Sequence, residues 1–149
     1  MEIEKEIQQK KFKDEYQKAA INIAFTASWI MTHNAGCLKP FGISPQQYNI
    51  LRILKGQHPN PVTVKLLTER MIDKMSNASR LVEKLKQKGL VERCECEKDR
   101  RQVDVCISDR GLKILAEMSD TLDKRLYENW NMTKKEATEL NKILDKMRG

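Results

Sequence analysis

The sequence has 149 residues, of which 40% are hydrophobic, 33% charged and only 5% aromatic. That length suits one ordinary domain able to bury its own core, and the composition excludes wholesale disorder and collagen-like or mucin-like sequence. Lys and Arg number 28 against 21 Asp and Glu, a net charge of +7 that points toward nucleic acid or an anionic surface.

Two histidines, His33 and His58, leave little material for a His-based hydrolase or a multi-His metal site. Cys37, Cys94, Cys96 and Cys106 show no disulfide-framework spacing, so reduced thiols are expected. The charged start MEIEKEIQQKKFKDE is no secretory signal. Residues 19–38 lack charge but hold Asn22, Thr26, Ser28, Thr32, His33 and Asn34, too polar for a membrane span. A cytoplasmic protein without membrane contact is expected.

In chain order, Ile3, Ile7, Phe12, Tyr16, Ala20, Ile23, Ala27 and Ile30 recur mostly at steps of three and four. The spacing predicts one helix of about eight turns, its uncharged second half buried on nearly all sides. Gly36, Pro40 and Gly42 end it. Ser44-Pro45-Gln46-Gln47 opens a second helix with a capping-box pattern and Pro at its first position. After the GQHPNP turn come a short helix from Val64 to Met71, capped by Thr63, a turn at Ile72–Met75, and a helix opening at Ser76 and stopped by Gly89. Two short helices joined by a tight turn form a helix-turn-helix.

Past Gly89 the period changes from 3.6 to 2. Leu90 to Cys96 and Val103 to Ile107 read as a hairpin around the charged tip Glu97–Arg101. Ser108 caps a long helix with Leu112, Leu115, Met118, Leu122 and Leu126 on one face, and Thr133 to Glu136 is the capping box of a last helix.

The expected fold is mainly α with a small β-hairpin wing. A winged helix-turn-helix core at about 44–112 is flanked by dimerisation helices at about 3–37 and 109–148, making one domain over 1–149. A helix of this kind fits the major groove, and the hairpin tip reaches the minor groove or backbone. The opening Ser76-Asn77-Ala78-Ser79-Arg80 offers short donors and acceptors, one methyl able to meet thymine, and one arginine. Lys84 and Lys88 follow as backbone contacts. At the tip, Asp99 can hold Arg100 or Arg101 extended for insertion into a narrow minor groove; the simpler reading is a solvated turn.

Residues 44–115 resemble the MarR family of bacterial transcriptional regulators. The match rests on Ser76-Asn77-Ala78-Ser79-Arg80-Leu81-Val82-Glu83-Lys84-Leu85, Lys88-Gly89-Leu90-Val91-Glu92-Arg93, Asp99-Arg100-Arg101, Val105 and Ile107-Ser108-Asp109-Arg110-Gly111. The resemblance implies a homodimer, a recognition helix from Ser76 to Lys88, and a wing whose arginine enters the minor groove. Carried over, it implies DNA contacts by Ser76, Asn77, Ser79, Arg80, Arg100 and Arg101, with Asp99 orienting. The family usually has a small β-branched pair where this chain has Asn77-Ala78, so the operator cannot be borrowed from relatives.

Independently of the resemblance, the terminal helices carry more apolar face than a small core can cover, which predicts pairing about a two-fold axis and a pseudo-palindromic operator. Asn22, Thr26, Trp29 and His33 share one polar and aromatic helix face, the candidate site for a small aromatic effector; hydrogen bonding within the dimer or to water is the plainer use. Cys37, close to Lys39, is the candidate thiol of an alternative redox-sensing regulator. A winged-helix module that binds protein instead of DNA is the other rival. No Gly-rich phosphate loop, metal-ligand cluster or nucleophile–base pairing suggests an enzyme, and neither cofactor nor metal is expected.

Overall fold

The computed structural model describes residues 1–95, 103–128 and 130–149. The expected long first helix is two. Helix α1 (Ile3–Glu6) ends at Ile7, Gln8 takes a left-handed φ of 54°, and α2 runs from Glu15 to Leu38. Capping overrides the periodicity here. Asp14 accepts the Gln17 N–H at 2.8 Å, and the Gln17 side chain accepts the Lys13 N–H at 2.8 Å, fixing a helix start in mid-pattern. Lys18 then pairs with Glu4 at 2.5 Å, holding α1 beside the first turn of α2.

After a 3₁₀ turn (Lys39–Phe41), α3 (Pro45–Gln57) begins with the expected capping box: Ser44 and Gln47 satisfy each other's backbone N–H groups. Strand β1 (Val62–Thr63) leads into α4 (Val64–Arg70), whose cap is Thr63. Helix α5 spans Ala78–Gln87, followed by β2 (Val91–Glu95), β3 (Val103–Ile107) and α6 (Asp109–Leu122). A π-helical turn (Asp123–Tyr127) extends α6, and α7 (Lys134–Arg148) carries the second capping box, Thr133 with Glu136.

The sheet is antiparallel in the order β1-β3-β2, so the hairpin gains a third strand that the sequence reading lacked. Val62 pairs with Val105, and Val91 with Ile107. Val62, Val91, Val105 and Ile107 are buried toward the helices. Helix α3 lies at the centre, packed against α2, α4, α5, α6 and β3. Its Ile50, Leu51 and Leu54 join Leu38, Leu67, Leu85, Leu115 and Met118 in a core that excludes water.

Helix α2 departs from the expectation of all-round burial, because only Cys37 and Leu38 at its end are buried. Ile21, Phe25, Ile30 and Asn34 are half-buried on the side that packs against α3 and α6, while Ile23, Trp29 and Met31 face solvent. Helix α7 has no buried residue and exposes Leu140, Ile143 and Met147.

The wing also corrects the expectation of free thiols. Cys94 and Cys106 lie diagonally on one face of β2 and β3, Cα atoms 6.4 Å apart, and form a disulfide. Facing pairs in the register are Cys94 with Asp104 and Glu92 with Cys106, a relation invisible until the hairpin register is known. Cys37 is a buried free thiol.

Helix α6 starts where α5 and β2 meet. A Cβ on Gly111 would stand 2.1 Å from the Leu90 carbonyl oxygen, so only hydrogen fits. Gly111→Ala should therefore cost about 3 kcal/mol or more, lowering Tm in thermal denaturation by roughly 6–12 °C. An unchanged Tm would show that α6 is free to move off the wing.

Candidate nucleic-acid interface

The turn from α4 to α5 is tightly held. The Ile72 N–H donates to Asn49 Oδ1 of α3 at 2.9 Å, and the Met75 N–H donates to Asp73 Oδ1 at 3.0 Å. The Ser76 N–H closes on the Asp73 carbonyl at 3.2 Å, and Lys74 Nζ reaches the Glu69 carbonyl at 2.5 Å. The Met75 amide foremost, with the Ser76 and Gln46 side chains adding to it, holds the Asp73 carboxyl below its ordinary range.

Helix α5 begins one turn-residue later than expected. Ser76 belongs to the turn and is half-buried, while Asn77 is the N-cap, its Oδ1 accepting the Arg80 N–H at 3.0 Å. Ser79, Arg80 and Lys84 are exposed on α5. Ala78 is not: it is 3% exposed and belongs to the core, so its methyl cannot meet a base. Lys88 is also diverted, donating to the Gly42 carbonyl rather than standing free for a phosphate.

The only acid within α5, Glu83, pairs with Arg93 of β2 at 3.1 Å. At this exposure the pair adds little stability, but it offsets the negative charge beside Arg80 and Lys84. The tip residues Asp99, Arg100 and Arg101 lie outside the described residues, as does Cys96. The strands that carry the tip are rooted next to the C-terminal end of α5.

Asn22, Thr26, Trp29 and His33 do form a contiguous ladder on α2. Thr26 Oγ1 donates to Asn22 Oδ1 at 3.5 Å, His33 Nδ1 lies 3.0 Å from the Trp29 carbonyl oxygen, and the Trp29 and His33 rings stand 4.3 Å apart at 43°. All four are exposed in the single chain. A cleft of about 620 Å³ lies elsewhere, between the end of α2, the start of α3 and α5; Gly36, Lys39, Ser44, Gln47, Leu81 and Lys84 line it. Sequence reasoning missed it, because its walls come from three separated segments. Among the described residues no cluster of His, Cys, Asp or Glu suits a metal, and no helix is long and apolar enough to cross a membrane.

Comparison with known proteins agrees with this geometry. A family model described as MarR family matches residues 41–102, from the end of the 3₁₀ turn to just before β3. The HTH-type transcriptional regulator MgrA of Staphylococcus aureus is 29% identical over 109 residues, 73% of this chain and 72% of that protein. Over residues 41–102 the chain is similar to the MarR family. Among solved structures, a MarR variant from E. coli complexed with operator DNA superposes with a TM-score of 0.76 at 20% identity, covering 93% of this chain and 99% of that one. An organohalide-sensing transcriptional regulator in its 2,4-dichlorophenol-bound form gives a TM-score of 0.75 at 20% identity, over 94% and 85% of the two chains. The curated relatives it matches, MgrA and the transcriptional repressor MprA of Escherichia coli, are transcriptional regulators.

The lowered Asp73 value carries a pH signature. Its folded-state pKa lies below the unfolded one, so its stabilising effect is complete above the ordinary carboxylate range and is lost as pH falls through the lowered value. Asp73→Asn should thus melt below wild type at neutral pH, the two curves converging on acidification. A gap that persists in acid would assign the effect to shape instead of charge.

Proposed function

We propose that the chain acts in the cytoplasm as a homodimeric repressor that binds a pseudo-palindromic DNA operator and is released by a small aromatic ligand. The observation that carries this reading is α5: a helix fixed at both ends, presenting Ser79, Arg80 and Lys84 outward while its acid is paired elsewhere. Residues 62–113, which contain it, hold 13 Lys and Arg against 9 Asp and Glu; residues 114–149 hold 7 of each. The cationic surplus thus favours the winged part over the tail. Ser76, Asn77, Ser79, Arg80 and Lys84 would contact the major groove and its backbone, and Arg100 or Arg101, oriented by Asp99, the minor groove.

Dimerisation is supported by the exposed apolar residues of α2 and α7, the long helices toward the two ends of the chain. Two copies joined there would present two α5 helices to half-sites about one turn, roughly 10 bp, apart. Repression follows most simply, since occupying a promoter needs no further contact surface. The Trp29–His33 pair beside Asn22 and Thr26 offers an aromatic wall with polar groups, the combination that holds a small aromatic ligand.

Selection from a random duplex pool, then anisotropy titration of the winning site at several salt concentrations, tests the reading. A pseudo-palindrome with a steep negative salt slope is expected. Arg80→Ala should weaken binding by about 1–3 kcal/mol and relax preference at one position per half-site. Equal loss on every sequence would move Arg80 to a phosphate. For assembly, Ile143→Asp combined with Met147→Asp should shift sedimentation from twice 17.4 kDa to the single-chain mass; a dimer that survives would place the interface away from α7.

A further inference from the structure

The methyl group that the opening of α5 seemed to offer to a base is buried with Ala78, yet the same corner of the molecule exposes two larger apolar side chains. Met75 is 92% and Ile72 84% exposed. Neither exposure comes from a loose turn, since the backbone N–H groups of both residues are hydrogen-bonded, to Asp73 and Asn49 respectively. Water therefore meets a thioether and a branched alkyl chain on a fixed support, two residues ahead of the cap of the candidate recognition helix.

The surroundings decide between possible occupants. Arg70, Lys74 and Arg80 are exposed on the segments flanking this corner against the exposed acids Glu69 and Asp73, and the Asp73 carboxylate is drawn onto the Met75 amide. An apolar side chain inside a cationic rim is complementary to a polyanion that also displays apolar groups. Double-stranded DNA is such a polymer, and the thymine 5-methyl is the apolar group on base edges in its major groove. Methionine suits the contact, being unbranched, flexible and polarisable.

We propose that Met75 is a specificity-determining residue that packs against one thymine methyl in each half-site, with Ile72 shielding the contact from solvent. The inference rests on the reading that α5 enters the major groove, and adds a base preference that Asn77, Ser79 and Arg80 do not supply.

The test uses the full chain and its selected operator. Each thymine is replaced in turn by deoxyuridine, which removes only the methyl. For wild type, one position per half-site should lose about fourfold in affinity, the equivalent of one buried methyl. Met75→Ala, which should melt like wild type because the side chain touches solvent, should bind more weakly and show no further loss at that position. Arg80→Ala should retain the deoxyuridine penalty there.

The same penalty in Met75→Ala as in wild type would overturn the proposal while leaving operator binding intact. So would a Met75→Ala protein with undiminished affinity, which would point to a protein partner at this corner. Failure of wild type to select or bind any duplex would overturn both this inference and the function it rests on.

Discussion

Ser108 ties three parts of the molecule together. Its hydroxyl donates to the Gly89 carbonyl at 2.7 Å and accepts the Gly111 N–H at 3.0 Å, while its own N–H donates to the Leu90 carbonyl at 3.0 Å. Gly89 ends the candidate recognition helix, Leu90 begins the wing, and Gly111 lies in the first turn of α6. One buried residue therefore joins reading helix, wing and long helix with three hydrogen bonds. Gly89 adopts φ of 71°, which lets the chain leave α5 at the angle this junction needs.

Around that junction the side chains divide by purpose. Leu85 and Val82 of α5 turn inward onto α3, whose Leu51 and Leu54 also receive the rest of the winged core. What remains outward on α5 is polar or cationic. At the opposite extreme, α2 and α7 keep apolar residues outside, beyond the reach of a core built on α3. The molecule has an apolar centre and two borders of different character, one charged and one apolar.

Local chemistry made much of this legible beforehand. The caps at Ser44, Thr63, Ser108 and Thr133 were readable because a hydroxyl three residues before the amide it accepts is a short-range signal. The recognition helix and both hairpin strands followed from period and from Gly89. Misreadings came where a neighbour in space decides. Phe12 and Tyr16 continue a helical spacing that Asp14 interrupts by capping, and the two-residue β1 is too short to show a period. Ala78 looked available because it sits among polar residues, yet helix phase turns it inward. Lys88 looked free because Gly42 is 46 residues away. The Cys94–Cys106 bond depends on hairpin register, and the cleft beside α5 on three distant segments.

The π-helical turn at Asp123–Tyr127 has a mechanical consequence. Up to Leu122, α6 is clamped to the winged part through Ser108 and the close Gly111 approach, so those pieces form one packed unit. The wider turn then accommodates an extra residue, and each added residue rotates a helix face by about 100°. Such turns are also where helices bend. The phase of the chain past Leu122 is thus set by a few residues that lie outside the Ser108 junction.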